Sequence, residues 1–208
     1  MQRLLVAAMM AAFLTAAAPS GTAGEAPLSI AGFTLGRPIE EYAERVVMET
    51  ALPVRYMENL REVEIAPQEG FKSGLIAFGT CHQPSTILRI KLKYADGSRE
   101  FYEELLKRFK GRFGEPDQYQ GDPFQVFISW KWSFKTSHQD RISLTLQHNP
   151  EVEEEKLGNA IKLTLHNQLE EDARCFRQEK RDGLQELRQR PPKAGLPGEP
   201  SWGRFIPN

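Results

Sequence analysis

Four segments of this chain alternate apolar and polar residues with a period of two, and that pattern most narrows what it can fold into. In 126–135, VFISWKWSFK, Ile128, Trp130, Trp132 and Phe134 share one side of an extended chain, while Ser129, Lys131, Ser133 and Lys135 share the other. Successive strand side chains point to opposite faces, so each row lies on a single side. Segments 87–94, 141–147 and 160–166 repeat the pattern, with apolar rows Leu88/Ile90/Leu92/Tyr94, Ile142/Leu144/Leu146 and Ile161/Leu163/Leu165. Strands that agree on one apolar side predict a sheet with one covered face and one wet face.

The segments between them supply the cover. A helix is expected from Pro38 to about residue 50, where Ile39, Tyr42, Ala43, Val46 and Val47 fall at helical spacing behind a first-turn proline. Segments 60–65 and 73–79 read as further strands. Ser98 caps a second helix running to about Lys110, with Phe101, Tyr102, Leu105, Leu106 and Phe109 as its buried stripe. A third helix starts near Asn167 and turns Leu169, Ala173, Phe176 and Cys175 toward the body. The order predicts an α+β fold: a mostly antiparallel sheet of about five or six strands, covered on one face by helices, in a single domain.

The chain opens MQRLLVAAMMAAFLTAAAPSGTAG, one positive charge followed by an uncharged apolar run and then small residues. This is the layout of a secretory signal peptide, expected over 1–23. Its apolar run, 4–18, falls short of the roughly 20 residues that span a bilayer. A globular domain is expected over 25–182 and a Pro/Gly-rich flexible tail over 183–208. The expected destination is the periplasm or the medium. In such a compartment Cys81 and Cys175 are expected to form a disulfide. It would close a loop of roughly 95 residues and stabilise the fold by about 3–5 kcal/mol.

The wet face carries the functional expectation. Its polar rows hold Arg89, Lys91, Lys93, Lys131, Lys135, Arg141 and Lys162 with no Asp or Glu, in a chain whose formal net charge is only −1. An unselected surface intersperses the two signs, and a patch of one sign attracts counter-ions through its summed field. These seven are the candidate ligand-binding residues; Glu62 and Glu64 on a neighbouring strand offset part of the charge. The expected partner is an anionic ligand or an acidic protein, with peripheral contact to an anionic membrane surface as a further setting. Nucleic acid is not expected, because export separates the protein from it and the tryptophans stand on the opposite row from the lysines.

Chemistry is less evident. His82, His138, His148 and His166 make no metal-ligand spacing, and there is no nucleophile elbow, phosphate loop or dinucleotide fingerprint. No catalytic residue, metal or cofactor is therefore assigned. The acidic clusters, including Glu170, Glu171 and Asp172, read as solvated helix faces. The expected function is an exported, soluble, non-catalytic binding or assembly protein. The alternative is an exported hydrolase, or a thiol enzyme using a free Cys81. Two phrases, GFTLGRPIEEY and RFGEP, resemble phrases of the SmpA/BamE-like group of small exported assembly modules. The resemblance covers about 20 residues of helix-boundary chemistry, lacks the lipid-anchor cysteine of that group, and assigns no site residue.

Overall fold

The computed structural model describes residues 25–123, 127–149 and 158–189. β1 (Ser29–Ile30) and β2 (Phe33–Thr34) form a small ribbon, followed by a 3-10 helix, Ile39–Arg45. Then come β3 (Val46–Val54), β4 (Met57–Ile65), β5 (Phe71–Gly79), β6 (Ile87–Tyr94) and α1 (Arg99–Phe113). β7 (Gln118–Gly121), β8 (Ile128–Lys135), β9 (Arg141–Asn149), β10 (Gly158–Leu165) and α2 (His166–Gln189) complete it. β3 to β10 build one antiparallel sheet in the order β3-β4-β5-β6-β10-β9-β8-β7. Each half of the chain contributes a four-strand meander, and the two meanders join where β10 lies beside β6.

The α+β class and the antiparallel sheet follow the sequence expectation, but the main sheet has eight strands where five or six are expected. The two strands that periodicity misses are its outer members. β7 reads QYQG, has no apolar alternation and is exposed throughout. β3 occupies most of the second half of the expected first helix. Only Ile39–Arg45 coils, and Val46 and Val47 pair with Ile65 and Glu64. β-branched residues lose side-chain freedom in a helix and suit a strand, and a short helix gains little from one more turn. Part of the helical stripe still packs: Ile39 is buried, and the Tyr42 ring lies 5.2 Å from that of Phe33.

The core grows from one cross-strand row. Val63, Ile76, Ile90, Leu163, Leu144 and Trp132 stand side by side on six strands, and none is more than 2% exposed. α1 lies over this face. Phe109 meets Trp132 edge-on at 6.0 Å and Phe113 meets Phe134 at 5.6 Å. Ser98 caps α1 by accepting a hydrogen bond from Phe101 N, as expected. At the other end Gly114 takes φ 81°, a left-handed value that glycine adopts without a Cβ clash. Its carbonyl accepts a 2.8 Å hydrogen bond from Trp132 Nε1, which satisfies the buried indole.

The expectation of helices on one face only needs correction. Leu169 of α2 packs on a separate apolar cluster, Leu60, Ala77 and Leu88. Ala77 stands in register with Arg89, so this cluster lies on the polar side of the sheet. Leu88 reaches it because pairing slips between Ala77/Arg89 and Phe78/Ile87. The slip turns Ile87 into the core in place of Leu88. α2 thus begins over the polar face and covers one end of it. It continues through Gly183 to Gln189; the expected signal peptide and residues 190–208 of the expected tail lie outside the described residues. Among the described residues no helix is long and apolar enough to cross a membrane.

Candidate anion-binding face

Register decides which basic residues meet. One row across the sheet reads Glu64, Leu75, Lys91, Lys162, Thr145, Lys131, Gln118, from β4 to β7. The next reads Glu62, Ala77, Arg89, Thr164, Ser143, Ser133. Arg89, Lys91, Lys162 and Lys131 therefore converge on the middle of the polar face. Arg89, Lys131 and Lys162 border a cavity of about 710 Å³ over β6 to β10, and Arg89, Lys91 and Lys162 a smaller one of about 270 Å³ toward β4, which Glu62 also lines. No Asp or Glu among the described residues lines the larger cavity.

The other three candidates do not line the larger cavity. Lys93 lies further along β6, in a depression that it shares with Lys91, Lys72, Glu64 and Glu69. Lys135 and Arg141 face each other at the far end of β8 and β9, both exposed. Arg141 is paired with Glu170 of α2 at 2.5 Å.

The central four have no such relief. Among the described residues, no carboxylate lies within ion-pair distance of Arg89, Lys91, Lys131 or Lys162. Among the described residues the Arg89 guanidinium donates only to the thioether of Met57, at 3.5 Å, and its buried Nε has no acceptor. Burial holds Arg89 below the usual arginine range, against the pull of Glu62 one strand beyond Ala77. Burial also pushes Lys162 down, and the charges of Arg89, Lys91 and Lys131 push it further the same way.

A lysine with a lowered folded-state pKa binds fewer protons than in the unfolded chain, so stability rises with pH through the window below 10.5. At neutral pH the cluster is an expense of folding. Lys162→Met keeps the apolar stem and removes the charge. It is expected to raise stability by on the order of 1 kcal/mol, about 2–4 °C in Tm for a chain of this size. Thermal melts at low and high salt check this: the gain should shrink as salt screens the repulsion.

Between the cations lie hydroxyls. Ser129, Thr145 and Thr164 are nearly buried, line the cavity, and make no side-chain hydrogen bond to another described residue. Gln118, Gln120 and Gln147 add amides to the wall. These are site residues that the charge argument passes over. Their signal was present in the same period-two rows, where Ser and Thr occupy the places between lysines. His166 sits at the cavity edge with Nε2 2.8 Å from Ser143 Oγ. Burial, then Lys131 and Arg141, hold its imidazole below the ordinary value, so it is neutral at pH 7.

Ser143 and His166 do not make a nucleophile site here. β9 is paired on both sides along its length, so the amides around Ser143 belong to the ladder and form no oxyanion hole. No side chain among the described residues hydrogen-bonds the other imidazole nitrogen. The thiol alternative needs a free Cys81, whereas Cys81 and Cys175 form a disulfide, with Cα atoms 5.8 Å apart.

Comparison with protein-family models, with curated proteins and with solved structures finds no match to this chain.

One acid assigned to the solvent proves structural. Asp172 is only 2% exposed. Its Oδ1 accepts from the backbone N–H groups of Cys81 and His82, both at 2.9 Å, and its Oδ2 from Asn59 Nδ2 at 3.1 Å and Thr80 N at 3.4 Å. Gly79 makes room for it: a Cβ there would lie 2.7 Å from Oδ1. Asp172 and Cys175 share a side of α2 at i and i+3. Together they fix the helix that frames the cavity to the β5–β6 loop.

Proposed function

We propose that this is an exported, non-catalytic binding or assembly protein that holds an anionic group against the centre of its polar sheet face. The observation that carries the reading is Lys162. Its ammonium sits among Arg89, Lys91 and Lys131 with no carboxylate in ion-pair range among the described residues, beside hydroxyls that have no partner among those residues. Like charges gathered without counter-charge are unfavourable for folding alone, and an anion bound from outside removes the penalty. Export rests on the signal-peptide pattern of 1–23, with which a disulfide is compatible.

The test is charge reversal along one row. Lys91→Glu, Lys131→Glu and Lys162→Glu together are expected to abolish retention on an anionic resin and on anionic liposomes. The unaltered protein should be retained and should elute earlier as salt rises. Far-ultraviolet circular dichroism establishes that the triple variant is folded. Unchanged retention by a folded triple variant overturns the reading. If the partner is an acidic protein, the same substitutions abolish its co-purification.

A further inference from the structure

The arrangement of donors, taken with the anion-binding reading on which this rests, narrows the class of anion. We infer that the central cavity takes a tetrahedral dianion, the phosphate of a phosphomonoester, seated over Thr145 between Lys162 and Lys131 with Arg89 and Thr164 beside it.

Three features point this way. First, the donors come from separate strands and converge from different sides. Lys162 and Lys131 flank Thr145 in one row, two strand spacings or about 10 Å apart at the backbone. Arg89 and Thr164 are neighbours in the adjoining row. A planar carboxylate offers its lone pairs in one plane and suits a single fork. A phosphate offers three acceptor oxygens pointing apart. Second, the charge matches. The central cations have no ion-paired carboxylate among the described residues, so one carboxylate would leave most of the repulsion in place. A phosphomonoester carries about −1.5 to −2 at pH 7. Third, the floor is made of hydroxyls. Thr145 and Thr164 are 8% and 4% exposed, and their hydroxyls are without a protein partner among the described residues; each can donate to an oxyanion. The site needs no chemistry: the group is held, and nothing is transferred.

Titration calorimetry of the full chain with glycerol 3-phosphate, sulfate and acetate tests the class. The two tetrahedral anions are expected to bind, with acetate at least tenfold weaker. Lys162→Gln is expected to weaken phosphate binding at least tenfold and Thr145→Val about three- to tenfold. Lys135→Gln, outside the cavity, leaves it unchanged. Acetate binding as tightly as phosphate, with both lost in Lys162→Gln, overturns the dianion inference while anion binding stands. Failure of every anion to bind overturns both. Vesicles separate the sources of the group. Binding to phosphatidic acid vesicles but not to phosphatidylserine vesicles of equal charge assigns a lipid headgroup. Binding of glycerol 3-phosphate without vesicle binding assigns a free phosphomonoester.

Discussion

Asp172→Ala is expected to cost the fold about 3–5 kcal/mol, the range seen when one partner of a buried charged network is removed. The carboxylate accepts four hydrogen bonds, three of them from consecutive backbone N–H groups of residues 80–82. Truncation leaves those donors facing an apolar methyl in a site only 2% exposed. Unsatisfied buried donors carry most of their desolvation penalty. Asp172→Asn keeps the volume but turns a donor toward donors, so it should recover only part of the loss. Urea unfolding measures both: the midpoint should fall sharply for Ala and less for Asn, with the slope unchanged. Gly79→Ala should resemble the Ala variant in direction, because its Cβ would lie 2.7 Å from the same oxygen.

The second large effect concerns the bond beside it. Cys81 and Cys175 are 94 residues apart in sequence, and the chain-entropy model gives a loop of that size about 4–5 kcal/mol. Cys81→Ser with Cys175→Ser is therefore expected to lower unfolding free energy by about 3–5 kcal/mol, as is reduction of the unaltered protein. Asp172 also holds the Cys81 N–H, so both devices secure the same segment to the same turn of α2. Their effects are expected to be less than additive: once one is lost, that end of α2 loosens and the other has less to hold. A double-mutant cycle with Asp172→Ala measures this, and strict additivity would show that the two act independently.

The parts of the fold legible in the sequence are those where a single periodicity survives from end to end. β8, β9 and β10 announce themselves because each carries apolar residues on one side and polar residues on the other, and β6 does so from Arg89 onward. The basic row follows from the same alternation. What escaped has particular causes. Val46 and Val47 satisfy a helical spacing as well as a strand, and only their pairing with β4 decides between them. β7 is held by backbone pairing to β8 and shows no side-chain pattern. Leu88 leaves its row because of a slip in register that no local residue signals. Asp172 sits in an acidic triplet, where solvation is the ordinary expectation. The hint was its distance from Cys175, three residues along one helix, with the bonded partner Cys81 two residues after Gly79. Convergence of Arg89, Lys91, Lys131 and Lys162 needed the strand order, since β6 and β8 are far apart in sequence and are brought near by β10 and β9.

α2 has 24 residues, a rod about 36 Å long, yet its attachments crowd into its first ten: Leu169, Asp172 and Cys175. Residues 177–185 are exposed, and the tie described for that stretch to the sheet is a surface pair, Lys180 with Glu58 at 2.9 Å. The far half therefore behaves as a lever about 20 Å long, and a pivot of ten degrees at its root carries the tip roughly 3–4 Å. The helix opens at His166 on the edge of the central cavity, and the lever begins nine residues further on, past the disulfide that pins Cys175. The anchored first half alone therefore links the cavity to the moving tip.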